Sequence, residues 1–255
     1  DAGGGARVYD AVLDARSTRR AALIAELAPA LEARQIELHY QPQIDLRTGA
    51  IIGCEGLARW DHPRFGLLTP DAFLDVALMS ETIAEFTLAM IEQALAVCAR
   101  AGGAGHRLPV SVNVPMRALR DTDFAGHVLG ALAAVGVDPG MLTVEITEGD
   151  VAEPSAAMLA QLDELMLGGV QMAIDDFGTG HSSLARLRAI RVHEVKVDRS
   201  FIERMVDDAF DRYIVGSVIY LGAGLGYRVV AEGVEHDAQA ELLRTLGCEI
   251  GRASC

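Results

Sequence analysis

Val170-Gln171-Met172-Ala173-Ile174-Asp175-Asp176-Phe177-Gly178-Thr179-Gly180 joins an apolar run to two adjacent carboxylates and then to a glycine turn. The run has the length of a buried strand, and the glycines behind it punctuate a tight turn. Two acids therefore leave the end of a strand together. Like charges side by side repel and cost stability unless a cation neutralises them. A pair of divalent metal ions accounts for them; a solvated turn, in which Asp and Gly are ordinary residues, is the alternative.

The same arrangement recurs on both sides of this stretch. Ala50 to Cys54 runs into Glu55, and Pro109 to Val112 into Asn113. Leu142 to Val144 runs into Glu145, with Glu148 close behind. His193 to Val195 leads to Lys196 and then Asp198, and Tyr227 to Ala231 leads to Glu232, followed by Glu235. One such end is a coincidence; six ends bearing oxygen or nitrogen donors describe a site.

Between these ends lie segments with helical spacing, at residues 70–78, 81–101, 123–135, 154–167, 182–190, 207–223 and 235–246. Strands alternating with helices of this length imply βα units and a mainly parallel sheet. The first two strands, 36–43 and 50–58, are separated by Arg47-Thr48-Gly49 and predict an antiparallel hairpin. The first strand is expected to stop at Pro42. Ahead of it, Ser17 is a candidate N-cap for a helix over 18–34, preceded by a glycine-rich, linker-like stretch. Seven or eight strands in 255 residues favour a closed α/β barrel, whose chemistry gathers at the C-terminal ends of its strands. An open doubly wound sheet is the runner-up, without a glycine-rich phosphate fingerprint after the first strand to support it.

Composition narrows the function. An apolar fraction of 51% is ample for a core, and a formal charge of −14 argues against duplex nucleic acid or an anionic membrane as partner. A carboxylate cluster loaded with metal is nevertheless locally electropositive, so a phosphorylated small substrate fits. Cys54, Cys98, Cys248 and Cys255 have no zinc spacing and read as reduced thiols, which suits the cytoplasm. The chain shows no bilayer-spanning apolar run and no signal-peptide layout.

Glu55, Asn113, Glu145, Asp175 and Asp176 are hard oxygen donors, which favours Mg²⁺ or Mn²⁺ over zinc or copper. Two ions sharing a bridging aspartate would clamp the attacking and leaving oxygens of a phosphoryl displacement. Lys196 beside them is either a base with a lowered pKa or a permanent charge facing phosphate oxygens. Each residue has a plainer reading too. Asn113 before Pro115 is a turn residue, Glu145 and Glu148 an acidic turn, and Lys196 with Asp198 an ion pair. Glu232 and Glu235 suit the start of a helix. His62, His181, His193, Arg186 and Arg188 read as surface or loop positions.

In order along the chain, Leu38-His39-Tyr40-Gln41-Pro42, Glu55-Gly56-Leu57-Ala58-Arg59-Trp60, Ser111-Val112-Asn113, Glu145-Ile146-Thr147-Glu148, Asp175 to Gly180, Lys196-Val197-Asp198 and Ala231 to Glu235 resemble the motifs of the EAL domain family. These are bacterial phosphodiesterases that cleave cyclic di-GMP to linear pGpG. The resemblance implies a modified TIM (β/α)8 barrel with one antiparallel strand over residues 35–255. Residues 1–34 become a linker and connecting helix, like the joint after a GGDEF domain, so an upstream GGDEF or sensory domain is expected in a larger parent.

The same resemblance gives two metals per site, Mg²⁺ or Mn²⁺, with Ca²⁺ inhibitory. The first is held by Glu55, Asn113, Glu145 and Asp175, and the second by Asp175 and Asp176. Lys196 contacts the attacking water and Glu232 lies close to the metals. Gln41, Arg59, Asn113, Asp198 and Glu235 are placed at the dinucleotide. Glu148, with Phe177 and Gly178, supports the loop after Asp176, which the family links to dimerisation, so a homodimer is expected.

Three departures stand out. Gly56 replaces the Ala of the family signature, and His181 stands where Tyr is common. After Gly251 the family continues Gln-Gly-Tyr, a loop and a final helix, whereas this sequence reads Arg252-Ala253-Ser254-Cys255, which reads as a truncated end. A receptor that binds cyclic di-GMP without cleaving it is therefore the alternative function. An unrelated metal-dependent barrel lyase is a third.

Overall fold

Asp45 folds the first turn. Its carboxylate accepts the backbone N–H of Arg47 and Thr48 at 2.9 and 2.7 Å, and Gly49 follows at φ 73°. The turn joins β1 (Ile36–Asp45) to β2 (Ile51–His62) as an antiparallel hairpin. The computed structural model, which describes residues 11–149, 154–179 and 192–253, corrects the expected stop at Pro42. Pro42 faces Cys54, and the Cys54 N–H turns away to the Pro109 carbonyl at 3.0 Å. The missing N–H of Pro42 thus falls at a position where β1 and β2 exchange no hydrogen bond, and the strand runs through it. β2 also continues past residue 58 and folds back as β3 (Gly66–Leu68), a three-residue strand that the sequence did not announce.

Thereafter β4 (Val110–Asn113), β5 (Leu142–Thr147), β6 (Gln171–Phe177), β7 (Glu194–Val197), β8 (Arg228–Glu232) and β9 (Ile250–Arg252) pair in parallel, starting from β2. β9 closes on β1 in antiparallel register, Gln43 opposite Arg252 and Asp45 opposite Ile250. The result is an eight-stranded closed α/β barrel in which β1 runs against both neighbours, with β3 as a side hairpin on β2. This is the modified TIM barrel with one antiparallel strand.

Helices α1 (Ala11–Glu32), α2 (Pro70–Met79), α3 (Ile83–Gly103), α4 (Phe124–Val135), α5 (Ala156–Leu167), α6 (Arg199–Arg204), α7 (Ala209–Leu225) and α8 (Asp237–Leu246) surround it. Ser17 lies inside α1 rather than capping it, because the segment Ala11-Val12-Leu13-Asp14-Ala15-Arg16, with good helix formers in Ala11, Leu13, Ala15 and Arg16, carries the helix on ahead of it. Its stop is a Schellman arrangement with Arg34 at φ 53°, the N–H of Arg34 bonding Leu31 and that of Gln35 bonding Ala30. α6 is an addition to the expected elements. The helix expected over 182–190, with His181, Arg186 and Arg188, lies outside the described residues.

Strand alternation sorts the core. On β7, Val195 and Val197 face the helices while Glu194 and Lys196 face the barrel axis; all four are buried. Val110 and Val112 of β4 and Val144 and Ile146 of β5 likewise pack outward, leaving Ser111, Asn113, Thr143 and Glu145 inside. Leu38 leans over Gly56 so closely that a methyl group there would come within 2.9 Å of its Cδ1. The space of the missing side chain is thus already filled.

Candidate active site

Register brings the polar strand ends level with one another. Gln41 lies opposite Glu55, Asn113 beside Glu145, Thr147 beside Asp175, and Glu232 beside Arg252. Closure of the barrel turns these ends toward one point, which Lys196 of β7 occupies. Its Nζ lies 3.0 Å from Glu55 Oε2, 2.8 Å from Glu145 Oε2, 3.1 Å from Asp175 Oδ2 and 2.8 Å from Glu232 Oε1. An ammonium has three protons, so four carboxylates overfill it. Glu55 and Glu145 take well-formed hydrogen bonds. Glu232 Oε1 sits at ion-pair distance without hydrogen-bond alignment, and Glu145 Oε1 is buried with no hydrogen-bond partner.

Arg252 is the second cation. Its Nη1 lies 2.6 Å from Glu55 Oε2 and its Nη2 2.8 Å from Glu232 Oε2, and Nη1 also donates to Gln41 Oε1 at 2.9 Å. Gln41 Nε2 in turn donates to the Ala253 carbonyl. Asn113 Nδ2 donates to Glu55 Oε1 at 3.2 Å. Five carboxylates, with Asp176 the fifth, share two cations, and negative charge is left in excess.

The ionisation of these groups records the excess. Burial, then the charge of Glu55, holds the Glu145 carboxyl well above the usual range. Burial pushes Glu232 up to about 7, with Lys196 only partly offsetting it. Asp176 is pushed up to about 6 by burial and by the charges of Asp175 and Asp198. Burial lowers the pKa of Lys196, but the carboxylates of Glu145, Glu55, Asp175 and Glu232 outweigh it and keep the amine charged.

The turn after β6 is held in a form that few side chains adopt. Asp176 has φ 56°, in the left-handed region where a non-glycine residue is strained. Its N–H donates to Asp175 Oδ1 at 2.9 Å. Gly178 follows at φ 101°, where an added Cβ would meet Phe201 at 2.9 Å. Its N–H donates to Glu148 Oε2 at 2.7 Å, while the Glu148 N–H bonds the Asp175 carbonyl at 3.0 Å. Glu148 thereby ties the end of β5 to the turn that carries both aspartates. Phe177, beside them, is buried on the outer side.

Oxygens of Glu55, Glu145 and Asp175 converge within 4.8 Å of one another, and so do those of Asp175, Asp176 and Glu232. Two overlapping oxygen triads that share Asp175, with an unpartnered oxygen on Glu145, fit a pair of hard divalent ions. They open into a cleft of about 610 Å³. Its lining combines the carboxylates with Leu57, Leu74, Phe86 and Met90, a mixture that suits a ligand with both phosphates and flat rings.

Not every expected residue joins the cluster. The Arg59 guanidinium folds back onto the Ala58 carbonyl at 2.9 Å and does not line the cleft. Asp198 caps α6, accepting the Ser200 N–H at 3.0 Å. Glu235 pairs with Arg199 at 3.2 Å at the rim. Arg199 lines the cleft and carried no signal in the sequence beyond its place after Asp198. Arg252 stood out as a departure, but nothing in the sequence placed it on Glu55 and Glu232.

Residues 24–252 match the family model described as EAL domain. The bifunctional diguanylate cyclase/cyclic di-GMP phosphodiesterase MucR of Pseudomonas aeruginosa is 36% identical over 241 residues, 94% of this chain and 35% of that protein. The cyclic di-GMP phosphodiesterase RocR of the same organism is 33% identical over 229 residues, 90% of this chain and 58% of that protein. This chain therefore spans between about a third and somewhat over half of these relatives. Among solved structures, the PaMucR phosphodiesterase in its c-di-GMP complex superposes with a TM-score of 0.85 at 36% identity, covering 91% of this chain and 94% of that one.

Proposed function

The chain belongs to the EAL domain family, and from that premise we propose that it is a metal-dependent phosphodiesterase that hydrolyses cyclic di-GMP to linear pGpG. The observation that carries the proposal is the convergence of Glu55, Glu145, Asp175 and Glu232 on Lys196 at the mouth of the barrel, beside Asp176. Mg²⁺ or Mn²⁺ bound there would activate water and offset charge on the phosphodiester.

The residues themselves divide the remaining work. Glu55, Asn113, Glu145 and Asp175 would hold one ion, and Asp175 with Asp176 the other. Lys196 stays protonated and buried, a fixed positive charge that gathers the four acids around the place where the water would be activated. The apolar lining residues Leu57, Phe86 and Met90 would pack the guanine rings and keep bulk water from the reacting phosphate. Glu148 fixes the strained turn, so that Asp176 presents its oxygens without reorganising at the moment of reaction.

Chromatography of cyclic di-GMP incubated with the full chain and Mg²⁺ or Mn²⁺ tests this. Linear pGpG is the expected product, and Glu55→Ala is expected to slow its formation about a thousandfold, roughly 4 kcal/mol. Turnover at the wild-type rate in that variant would sink the metal assignment. Ca²⁺, larger and looser in its coordination, is expected to support binding and suppress hydrolysis in the same assay.

One observation favours the second reading, a receptor that binds without cleaving: the Arg252 guanidinium rests on two acids of the cluster, Glu55 and Glu232. Intact substrate that is nonetheless bound would select it. We also propose a cytoplasmic homodimer within a larger protein, with residues 1–34 leading from an upstream GGDEF or sensory domain. Among the described residues no helix is long and apolar enough to cross a membrane. The exposed Phe210, Tyr213 and Tyr220 of α7 offer an apolar face for self-association, which light scattering would read.

A further inference from the structure

We propose that Arg252 is an internal competitor for the divalent ions: its guanidinium occupies carboxylate oxygens of Glu55 and Glu232, and a metal can settle on them only as Arg252 withdraws. The inference rests on the metal-dependent reading above and assigns it a residue that the reading does not contain.

The argument is one of oxygen supply. Glu55 Oε2 already receives Lys196 Nζ at 3.0 Å and Arg252 Nη1 at 2.6 Å, and Glu55 Oε1 receives Asn113 Nδ2 at 3.2 Å. Glu232 is divided in the same way, Oε1 facing Lys196 and Oε2 facing Arg252 at 2.8 Å. An oxygen holding two cationic donors has little left to offer a third cation, so an ion entering the Glu55, Glu145 and Asp175 triad must displace one of them. Lys196 has no route out, being fully buried and ringed by four acids.

Arg252 does have one. It belongs to β9 and lines the cleft, and its side chain keeps 14% of its exposure while its Nε is buried without a partner. A guanidinium remains charged at any pH the fold survives, so the competition cannot be relieved by deprotonation. It is relieved by movement alone. Gln41 moves with it: its side chain is held between Arg252 Nη1 and the Ala253 carbonyl, and withdrawal of the arginine frees its amide oxygen toward the cleft. A neutral side chain of similar reach at 252 would hydrogen-bond the same acids without cancelling their charge.

Calorimetric titration of Mn²⁺ into the full chain, with Arg252→Gln, Arg252→Lys and Glu55→Ala beside the wild type, tests the competition. Arg252→Gln is expected to bind Mn²⁺ at least about tenfold more tightly, the scale of one charge-assisted contact. Arg252→Lys, which reaches a single carboxylate, should fall between them, and Glu55→Ala should lose the strong site. In thermal melts the metal-free Arg252→Gln chain should unfold earlier than the wild type and gain more from saturating Mn²⁺. Affinity in Arg252→Gln and Arg252→Lys equal to or weaker than the wild type would overturn the inference, leaving Arg252 as a brace for Glu55 and Glu232. Strong Mn²⁺ binding in none of the chains would overturn the metal reading and this inference together, an outcome distinct from unchanged affinity.

Discussion

Glu194 and Lys196 stand two residues apart on β7, both pointing into the barrel, and the molecule settles their charges in opposite ways. Among the described residues Glu194 has one ion-pair partner, the Arg228 guanidinium at 3.4 Å, whose side chain is half exposed at the lower rim. Lys196 has four partners within 3.1 Å and no exposure. The lower arrangement is balanced in charge, one acid answered by one half-exposed base, although Glu194 Oε1 is buried without a hydrogen-bond partner. The upper one is balanced only in part, because its acids outnumber its bases. Structural burial of charge looks like the first and a site for foreign cations like the second. The two lie a single strand pair's length apart, which shows that position on the strand does not decide the matter. The count of partners does.

The strongest way to break that contrast is Lys196→Met. It leaves four buried carboxylates sharing Arg252 alone, and is expected to cost the metal-free protein about 3–5 kcal/mol. Urea unfolding measures it, and a loss under about 1 kcal/mol, the scale of an exposed ion pair, would mean that the acids do not depend on Lys196. Part of the loss should return on adding Mn²⁺.

Arg228→Met applies the same operation to the lower pair. Here the expected loss is smaller, about 1–3 kcal/mol, because one buried acid is orphaned and water reaches the rim. A loss equal to that of Lys196→Met would erase the distinction between the two ends.

The mildest test is pH. Glu232 and Asp176 are raised to about 7 and about 6 from 4.5 and 3.8. A carboxyl whose folded pKa is raised keeps its proton longer in the fold. Its contribution to stability is therefore whole below the unfolded pKa and is lost as pH climbs through the folded one. Metal-free protein should melt at falling temperature between about pH 4 and pH 7, and saturating Mn²⁺ should flatten the slope. Glu194 is also raised, by burial first, with Arg228 offsetting it. Glu194→Gln should remove only a small part of the slope. If it removed most, the lower end would be the frustrated one.

Much of this was legible in the sequence because it is local. An apolar run that ends in an acid marks a strand that ends at a site, and the order of Glu55, Asn113, Glu145, Asp175, Lys196 and Glu232 along the chain is the order of strands around the barrel. The hairpin of β1 and β2 was legible from Arg47-Thr48-Gly49. What escaped was either too short to carry a period, as with β3 and the six residues of α6, or set by contacts distant in sequence. Ser17 is a good cap in isolation, and only the helix-forming residues before it overrule it. Pro42 reads as a stop until the direction of the Cys54 N–H is known. Arg252 reaches Gln41 and Glu55 because β9 lies against β1, a neighbour some two hundred positions earlier, and no window of sequence contains both.

The seam between β1 and β9 also has a consequence in time. Gln43 to Asp45 must find Arg252 to Ile250 across nearly the whole barrel sequence, and pairings of such long range are intrinsically slow. Until that seam shuts, the acids hang from separate strands with no common centre. A nascent or half-folded chain is thus a poor chelator, and capacity to hold metal arrives together with the last strand, as a by-product of finishing the ring.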